Sequence, residues 1–309
     1  MDDAALLHEL TPTAQALVDR HLSTSKEWFP HELVPWSRGR DFVPGEDWAP
    51  SEYPMPDAVR SALFVNLLTE DNLPYYFRTI ERMFGADEVW GEWARRWTAE
   101  EGRHSIVIRD YLTVTRAMDP VALERARMHQ VSGGVVPEPA TVADGLVYVA
   151  LQELATRIAH RNTGKLLEDK AGYEVMARVG ADENFHFLFY RDLVKAAIEL
   201  DPSAVVIAIE RQVREFEMPG TGIIGFDAHA TAIAKAGIYD LKAHHEHILV
   251  PVVLRQWGIE SLAELSPEAA AARDAVVKRI ERIGRAGQIM ADRWAREAKA
   301  AAEPALATV

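Results

Sequence analysis

The 309-residue chain contains no cysteine. Disulfides, thiolate zinc sites, iron–sulfur clusters held by the chain itself and thiol nucleophiles are therefore excluded. Any metal must be held by Glu, Asp and His, an oxygen-rich donor set suited to iron or manganese. Positive charge is scarce as well. With 34 Lys and Arg against 47 Asp and Glu, the net charge is −13, which argues against a nucleic-acid partner, since that needs a basic face. Long apolar runs are missing. The strongest, at 204–209 and 248–254, fall far short of the roughly 18 residues that a membrane span requires. The opening Met1-Asp2-Asp3-Ala4 is acidic, unlike a signal or transit peptide, so cytoplasmic residence is the expectation. No stretch shows a convincing strand pattern, and the fold class expected is all-α.

What is present is a soluble, globular composition, 48% apolar and 26% charged, long enough for one sizeable core with appended elements. The whole of 1–309 reads as one domain. Residues 1–56 form a wrapping N-terminal segment, with an amphipathic helix over 2–22 and an extended loop over 28–56 that carries six prolines. Bundle helices fill 57–201, at about 57–84, 86–118, 140–169 and 171–200. Asp119-Pro120 and Asp201-Pro202 stop and restart the chain, and 133–139 connects the two halves. Additional C-terminal helices follow over 202–300, at about 203–216, 227–239 and 240–257, with a last one opened by Ser266-Pro267-Glu268. Residues 301–309 read as a frayed tail. Pro74, four residues after Glu70, should kink the first bundle helix because it cannot bond the Glu70 carbonyl. Gly102, inside the second, weakens it by about 1 kcal/mol relative to Ala, which close packing or flexibility should offset.

Two tetrads stand out. Glu101-Gly102-Arg103-His104 and Glu183-Asn184-Phe185-His186 each put a carboxylate and an imidazole three residues apart, on one face of a helix. Two further glutamates, Glu70 and Glu153, follow apolar runs. Glu70 precedes Glu101 by 31 residues and Glu153 precedes Glu183 by 30. Either tetrad alone is an ordinary feature of a charged helix. Paired, with matched lone glutamates, they have the order that a two-metal site needs when four helices supply ligands. The candidate ligands are Glu70, Glu101, His104, Glu153, Glu183 and His186. Four converging carboxylates would repel and would be driven to protonate on burial; two divalent cations cancel that cost. The equal intervals imply two similar helix pairs, hence a ferritin-like four-helix bundle with additional helices packed around it.

These residues resemble the soluble acyl-carrier-protein desaturases, over most of the chain. Thr98-Ala99-Glu100-Glu101-Gly102-Arg103-His104-Ser105 is similar to that family's Trp-Thr-Ala-Glu-Glu-Asn-Arg-His-Gly, and Asp182-Glu183-Asn184-Phe185-His186-Phe187 to its Asp-Glu-Lys-Arg-His-Glu. Thr69-Glu70-Asp71-Asn72-Leu73-Pro74-Tyr75 and Gln152-Glu153-Leu154-Ala155-Thr156 match two further family segments. The resemblance implies two iron ions on the six candidate ligands. It implies an oxygen-dependent desaturase that uses two external electrons to place a cis double bond in a saturated acyl chain on acyl carrier protein. It also implies a ferredoxin-type donor and a homodimer. Trp28, in Trp28-Phe29-Pro30-His31-Glu32-Leu33, matches a family tryptophan that stands with the equivalent of Asp182 beside a ligating histidine, where a carboxylate fixes the imidazole tautomer. Thr156 matches a threonine on the oxygen-binding side. Asn184-Phe185 and Phe187 depart from the family pattern, which bears on the outer surface and its partners. An acyl channel is expected near Tyr75, Tyr76, Met83, Thr156 and Phe189.

Other features read more plainly. Gly220-Thr221-Gly222-Ile223-Ile224-Gly225 spells a dinucleotide fingerprint but lacks the strand that should precede one, so a loop is expected. His244-His245-Glu246-His247 reads as solvated. Lys278, Arg279, Arg282 and Arg285, and Arg157, Arg161 and Lys165, are basic faces that are solvated or meet an acidic carrier. The alternatives to a desaturase are a ferritin-like iron-binding or storage protein, a related di-iron acyl hydroxylase, or a catalytically lapsed homologue.

Overall fold

The computed structural model describes residues 1–218 and 220–302, and these contain helices and loops but no strand. The helices are α1 (Asp3–Thr24), α2 (Pro30–Leu33), α3 (Asp57–Glu70), α4 (Leu73–Phe84), α5 (Glu88–Thr115), α6 (Pro120–Gly133), α7 (Val142–Leu166), α8 (Lys170–Leu200), α9 (Pro202–Glu215), α10 (Phe226–Lys235), α11 (Leu241–His244) and α12 (Pro267–Ala302). Local chemistry sets their starts. Asp119, Thr141, Asp169 and Asp201 each accept a first-turn backbone N–H, of α6, α7, α8 and α9 respectively, a cap worth about 1 kcal/mol. Pro120 and Pro202 take the first helical position, where a missing N–H costs nothing.

The expected helix over 57–84 is two helices. The chain breaks at Asp71 and Asn72, and Pro74 is the second residue of α4. The break is clamped from α6: Arg127 makes two hydrogen bonds to Asp71 at 2.8 and 3.0 Å, and Gln130 Nε2 donates to Asn72 Oδ1 at 2.6 Å. A proline without partners bends a helix; here the side chains at the break are held from α6 and the bend becomes a stop. Helix α6 itself was not anticipated beyond the restart at Pro120. The expected helix over 240–257 is α-helical only through His244; residues His245–Gln256, with Pro251 among them, form a π-helix. The proline-rich wrapping loop holds the short α2 and two single 3₁₀ turns. Residues 303–309, within the expected frayed tail, lie outside the described residues.

Helices α3, α5, α7 and α8 carry the six candidate ligands. α7 and α8 pack along most of their length, joined by residues 167–169. α1 lies against α8 and α5, burying Leu6, Leu10, Ala14, Leu17 and Val18. α10 covers α3, α9 covers α7, and α12 packs on α9. The apolar interior has two main parts. One gathers Trp93, Trp97, Leu146, Leu151, Phe189 and Leu193; the other gathers Leu63, Leu67, Ile108, Leu112, Met176 and Val179. On α5 the charged tetrad 101–104 falls between Trp97 and Ile108, and on α8 the tetrad 183–186 falls between Val179 and Phe189. A polar layer is thus held between two apolar plugs, each large side chain of which contributes about 1.5–3 kcal/mol of burial.

Of the two offsets expected for Gly102, close packing or flexibility, the structure shows no close packing. A methyl there would stand 3.9 Å from Leu73 Cδ2, an ordinary contact, whereas one on Gly145 would overlap the Met83 sulfur. Gly102→Ala should therefore stabilise the protein by about 1 kcal/mol, the helix-propensity difference. Denaturant titration reads this directly, and a destabilised variant would show that the backbone at 102 needs glycine.

Candidate metal centre

The structure brings all six sequence-predicted carboxylates and imidazoles together. Glu70, Glu101, His104 and Glu183 form one group whose ligand atoms lie within 4.8 Å of one another, and Glu101, Glu153, Glu183 and His186 form a second. Glu101 and Glu183 belong to both, so the tetrad glutamates stand between two positions, with Glu70 and His104 on one side and Glu153 and His186 on the other. All six residues are buried.

The imidazoles show how the centre is oriented. His104 Nδ1 faces Glu101 Oε2 at 3.1 Å and Glu70 Oε2 at 3.7 Å, while its Nε2 faces Asp182 Oδ2 at 3.4 Å. His186 Nδ1 faces Glu101 Oε1 at 2.8 Å and Glu153 Oε2 at 3.5 Å, while its Nε2 faces Glu100 Oε2 at 2.9 Å. Each ring turns Nδ1 inward and Nε2 toward a carboxylate outside the cluster. In the neutral ring that a metal would need, that outer carboxylate would keep the proton on Nε2 and leave the Nδ1 lone pair facing inward. Glu101 Oε1, Glu153 Oε2 and His186 Nδ1 are buried without a hydrogen-bond partner, although Glu101 Oε1 and His186 Nδ1 are 2.8 Å apart. Close acceptor atoms without hydrogen bonds between them are the donor set that a cation would satisfy.

The two outer carboxylates have matching surroundings. Trp28 Nε1–H donates to Asp182 Oδ2 at 2.7 Å, Arg103 reaches the same oxygen at 3.3 Å, Arg178 pairs with its other oxygen, and the Trp28 ring stacks on His104. Across the centre, His21 Nε2 lies 3.0 Å from Glu100 Oε2, Arg96 Nε donates to Glu100 Oε1 at 2.6 Å, and the His21 ring stacks on His186. Trp28 and Asp182 were named from the sequence; Glu100 and His21 were not. The signal for Glu100 was available, since it precedes Glu101 as Asp182 precedes Glu183.

His160 was also missed. It lies on α7 two turns beyond Glu153, and its Nε2 is 3.1 Å from Glu70 Oε1 and 3.2 Å from Glu183 Oε1. Thr156 donates to the carbonyl oxygens of Glu153 at 3.0 Å and Gln152 at 3.2 Å. With Thr69 it lines two spaces. One is a gap of about 10 Å³ against Glu70, Glu101, Glu183, Tyr76 and Gln152; the other is an apolar cavity of about 80 Å³ that continues past His160 to Ile233 and Ile238. Of the expected channel residues, Tyr76 and Thr156 border the gap. Tyr75 donates to the Val131 carbonyl at 2.8 Å, Met83 packs on Gly145, and Phe189 stacks on Trp93.

Charge explains the titration of these groups. Burial, with the neighbouring Glu153 and Glu70 carboxylates, pushes Glu183 up to about 8. Burial and Glu183 likewise raise Glu101. Burial works against protonating His160, but Glu183 and Glu70 outweigh it and lift that imidazole to about 9. His104 and His186 are raised for the same reason, against the effect of burial. Burial alone would raise Asp182 and Glu100 too, yet the facing imidazoles hold both below the carboxylate range. Protonated groups thus balance a cluster of anions, a task divalent cations would take over.

The other singled-out residues are elsewhere. The 220–225 glycines lie in turns between α9 and α10, with Gly225 at φ +78° leading into α10. His244 is buried rather than solvated: Phe216 stacks on it, Tyr239 Oη lies 2.7 Å from its Nδ1, and burial lowers its pKa to about 4. Glu246 and His247 are exposed. Lys278, Arg282 and Arg285 are exposed on α12; Arg161 and Lys165 are exposed on α7, with Arg157 half-buried.

Comparison with known proteins gives concordant results. The profile of the fatty acid desaturase family matches residues 2–306. The chain is 42% identical over 284 residues to the provisionally named acyl-[acyl-carrier-protein] desaturase DesA1 of Mycobacterium tuberculosis, covering 89% of this chain and 84% of that one. It is 27% identical over 282 residues to the chloroplastic stearoyl-[acyl-carrier-protein] 9-desaturase of Simmondsia chinensis, covering 85% and 70%. The crystal structure of DesA2 from Mycobacterium tuberculosis superposes with a TM-score of 0.70 at 28% identity, covering 87% of this chain and 99% of that one.

Two outcomes are expected. Histidines with raised folded-state pKa stabilise the metal-free protein fully below about pH 6.5, and that contribution is lost as pH rises through about 9 for His160. Glu183 keeps its proton to about 8 in the folded state, so the folded protein binds more protons than the unfolded one and stability again falls as pH rises. The thermal midpoint of chelator-stripped protein should drop between pH 6.5 and 9, and ferrous iron should flatten the profile; a flat metal-free profile would contradict this charge balance. Separately, Glu100→Ala should weaken metal binding about 10- to 100-fold at the His186 position, read by competition with a chelator dye.

Proposed function

The chain belongs to the fatty acid desaturase family, and from that premise we propose that it acts as an acyl-[acyl-carrier-protein] desaturase with two irons bound by Glu70, Glu101, His104, Glu153, Glu183 and His186. The observation that carries the proposal is the pair of overlapping ligand groups sharing Glu101 and Glu183, found in a chain whose relatives are named as desaturases of carrier-bound acyl groups. Glu101 and Glu183, common to both groups, would serve both ions; Glu70 with His104 would hold one, and Glu153 with His186 the other.

The chemistry demands a metal pair. Methylene C–H bonds do not react with protein side chains, so the irons would supply the oxidising power, with dioxygen as acceptor. In the net reaction two adjacent methylenes lose two hydrogens to become a cis double bond. With two external electrons and two further protons, one dioxygen becomes two waters. The protein's part is positioning and exclusion of water. Asp182 and Glu100 would hold His104 and His186 with Nδ1 inward, with Trp28 and His21 fixing those carboxylates in turn. α3 ends at Glu70, so the partial negative charge of its carbonyl terminus would lie close to the proposed cations. The apolar cavity beyond Thr69 and Thr156 suits a methylene chain, and Thr156 stands where chain and centre would meet. The chain has no cysteine and so no iron–sulfur relay of its own; electrons would come from a ferredoxin-type donor. A homodimer is proposed on family grounds. No helix among the described residues is long and apolar enough to cross a membrane, which suits a carrier-protein substrate.

Glu183→Ala removes one of the two shared carboxylates. It should abolish both iron loading and conversion of saturated acyl-carrier protein, measured by metal analysis and product mass spectrometry with ferredoxin, its reductase and oxygen. Full activity in that variant would sink the six-ligand assignment, and a hydroxylated rather than unsaturated product would change the reaction class.

A further inference from the structure

The cavity beside the candidate centre is walled mostly by carbon, and two side chains on that wall, Asn66 and His160, each carry an unpaired polar atom. Asn66 lies on α3 one helical turn before Glu70, about 6 Å along the axis, and is 8% exposed. Its Nδ2 is buried with no hydrogen-bond partner. It lines the cavity with Thr69 and Thr156 on the side of the centre, and with Phe226, Ile233 and Ile238 opposite. His160, whose buried Nδ1 is also without a partner, lines it too. A buried amide N–H without an acceptor bears the full cost of its desolvation, whereas an apolar side chain of the same shape would not. The amide is favourable there only when something brings an acceptor to it.

The substrate class brings one. A saturated acyl group has a single oxygen, the carbonyl of its thioester, and its methylenes are otherwise alike to an apolar wall. We propose that Asn66 donates a hydrogen bond to the thioester carbonyl of the bound acyl group and so sets which methylenes reach the centre. The inference rests on the desaturase reading. Asn66 is a positioning residue: it fixes the register of the chain, and the carbonyl it holds is not consumed.

Regiochemistry and a carbonyl signature test this separately from turnover. With carrier-bound acyl chains of several lengths, the wild type should give one double-bond position, counted from the carbonyl. Asn66→Leu should raise KM about tenfold, the effect of one hydrogen bond, with a smaller change in kcat and a mixture of positional isomers. A single isomer at the wild-type position with unchanged KM would overturn the proposal. Should Asn66→Leu fail to fold, isotope-edited infrared spectroscopy on wild-type protein decides. A carbon-13 carbonyl in the bound acyl thioester should absorb at lower frequency than in free acyl carrier protein. An unshifted band, as expected if Asn66 binds only an ordered water, overturns it. A shifted band without turnover would count against the desaturase reading and leave the Asn66 contact standing.

Discussion

Four carboxylates buried in one layer of a helical bundle repel one another, and much of the structure answers to that repulsion. Two unit charges 4 Å apart interact by about 4 kcal/mol at an effective dielectric near 20, so a cluster of anions cannot persist uncompensated. The fold places Glu70, Glu101, Glu153 and Glu183 between two apolar plugs that exclude water, which strengthens the repulsion and any compensating attraction alike. Imidazoles, raised in pKa, supply part of the answer in the metal-free chain. Divalent cations would supply it more completely, because they would also engage the unpaired Glu101, Glu153 and His186 atoms. Affinity for the proposed cations would follow from the packing that makes the carboxylates costly.

The near-repeat of the sequence becomes a near-symmetry of supports. A carboxylate one residue before each shared glutamate holds the histidine of the opposite tetrad, Asp182 for His104 and Glu100 for His186, and a ring covers each histidine, Trp28 on one side and His21 on the other. The symmetry breaks where function would need it to. α3 ends at Glu70 while α7 continues unbroken past Glu153, and the turns of α7 beyond it bring Thr156 and His160 to the same end of the centre. The apolar cavity adjoins that end, lined there by Thr69, Thr156 and His160. Equivalent ligands thus acquire inequivalent surroundings, one side buttressed and the other adjoining space for a chain.

Long helices with buried faces and a carboxylate and imidazole three residues apart leave a strong periodic trace, so the four bundle helices and the convergence of the six candidate residues were legible in the sequence. What was not legible depends on contacts between distant segments. Pro74 signalled a disturbance, but whether it bends or ends a helix is decided by Arg127 and Gln130 on α6, which no local pattern reveals. His21 sits 79 residues from Glu100, and His160 reaches Glu70 across 90; both look like ordinary helix residues until packed. His244 looked solvated because its neighbours Glu246 and His247 are, yet its ring turns inward against Phe216. The π-helix after it has no signature in hydropathy.

The departures from the family pattern at 184–187 take on a different meaning in three dimensions. Charged residues in that pattern suggested that their loss altered an outer, partner-facing surface. Phe185, however, is half-buried and sets its edge against the His21 ring, at 6.0 Å and 85°, and Phe187 is buried beneath the Arg191 guanidinium. His21 in turn supports Glu100 and through it His186. An aromatic edge is thus added to the Arg96–Glu100 pair on the His186 side, where the His104 side has Arg103 and Arg178 around Trp28. An aromatic brace has no charge to be screened by salt and resists water entry, so the residues at 185 and 187 bear on the packing behind His21 and His186 as well as on the outer surface.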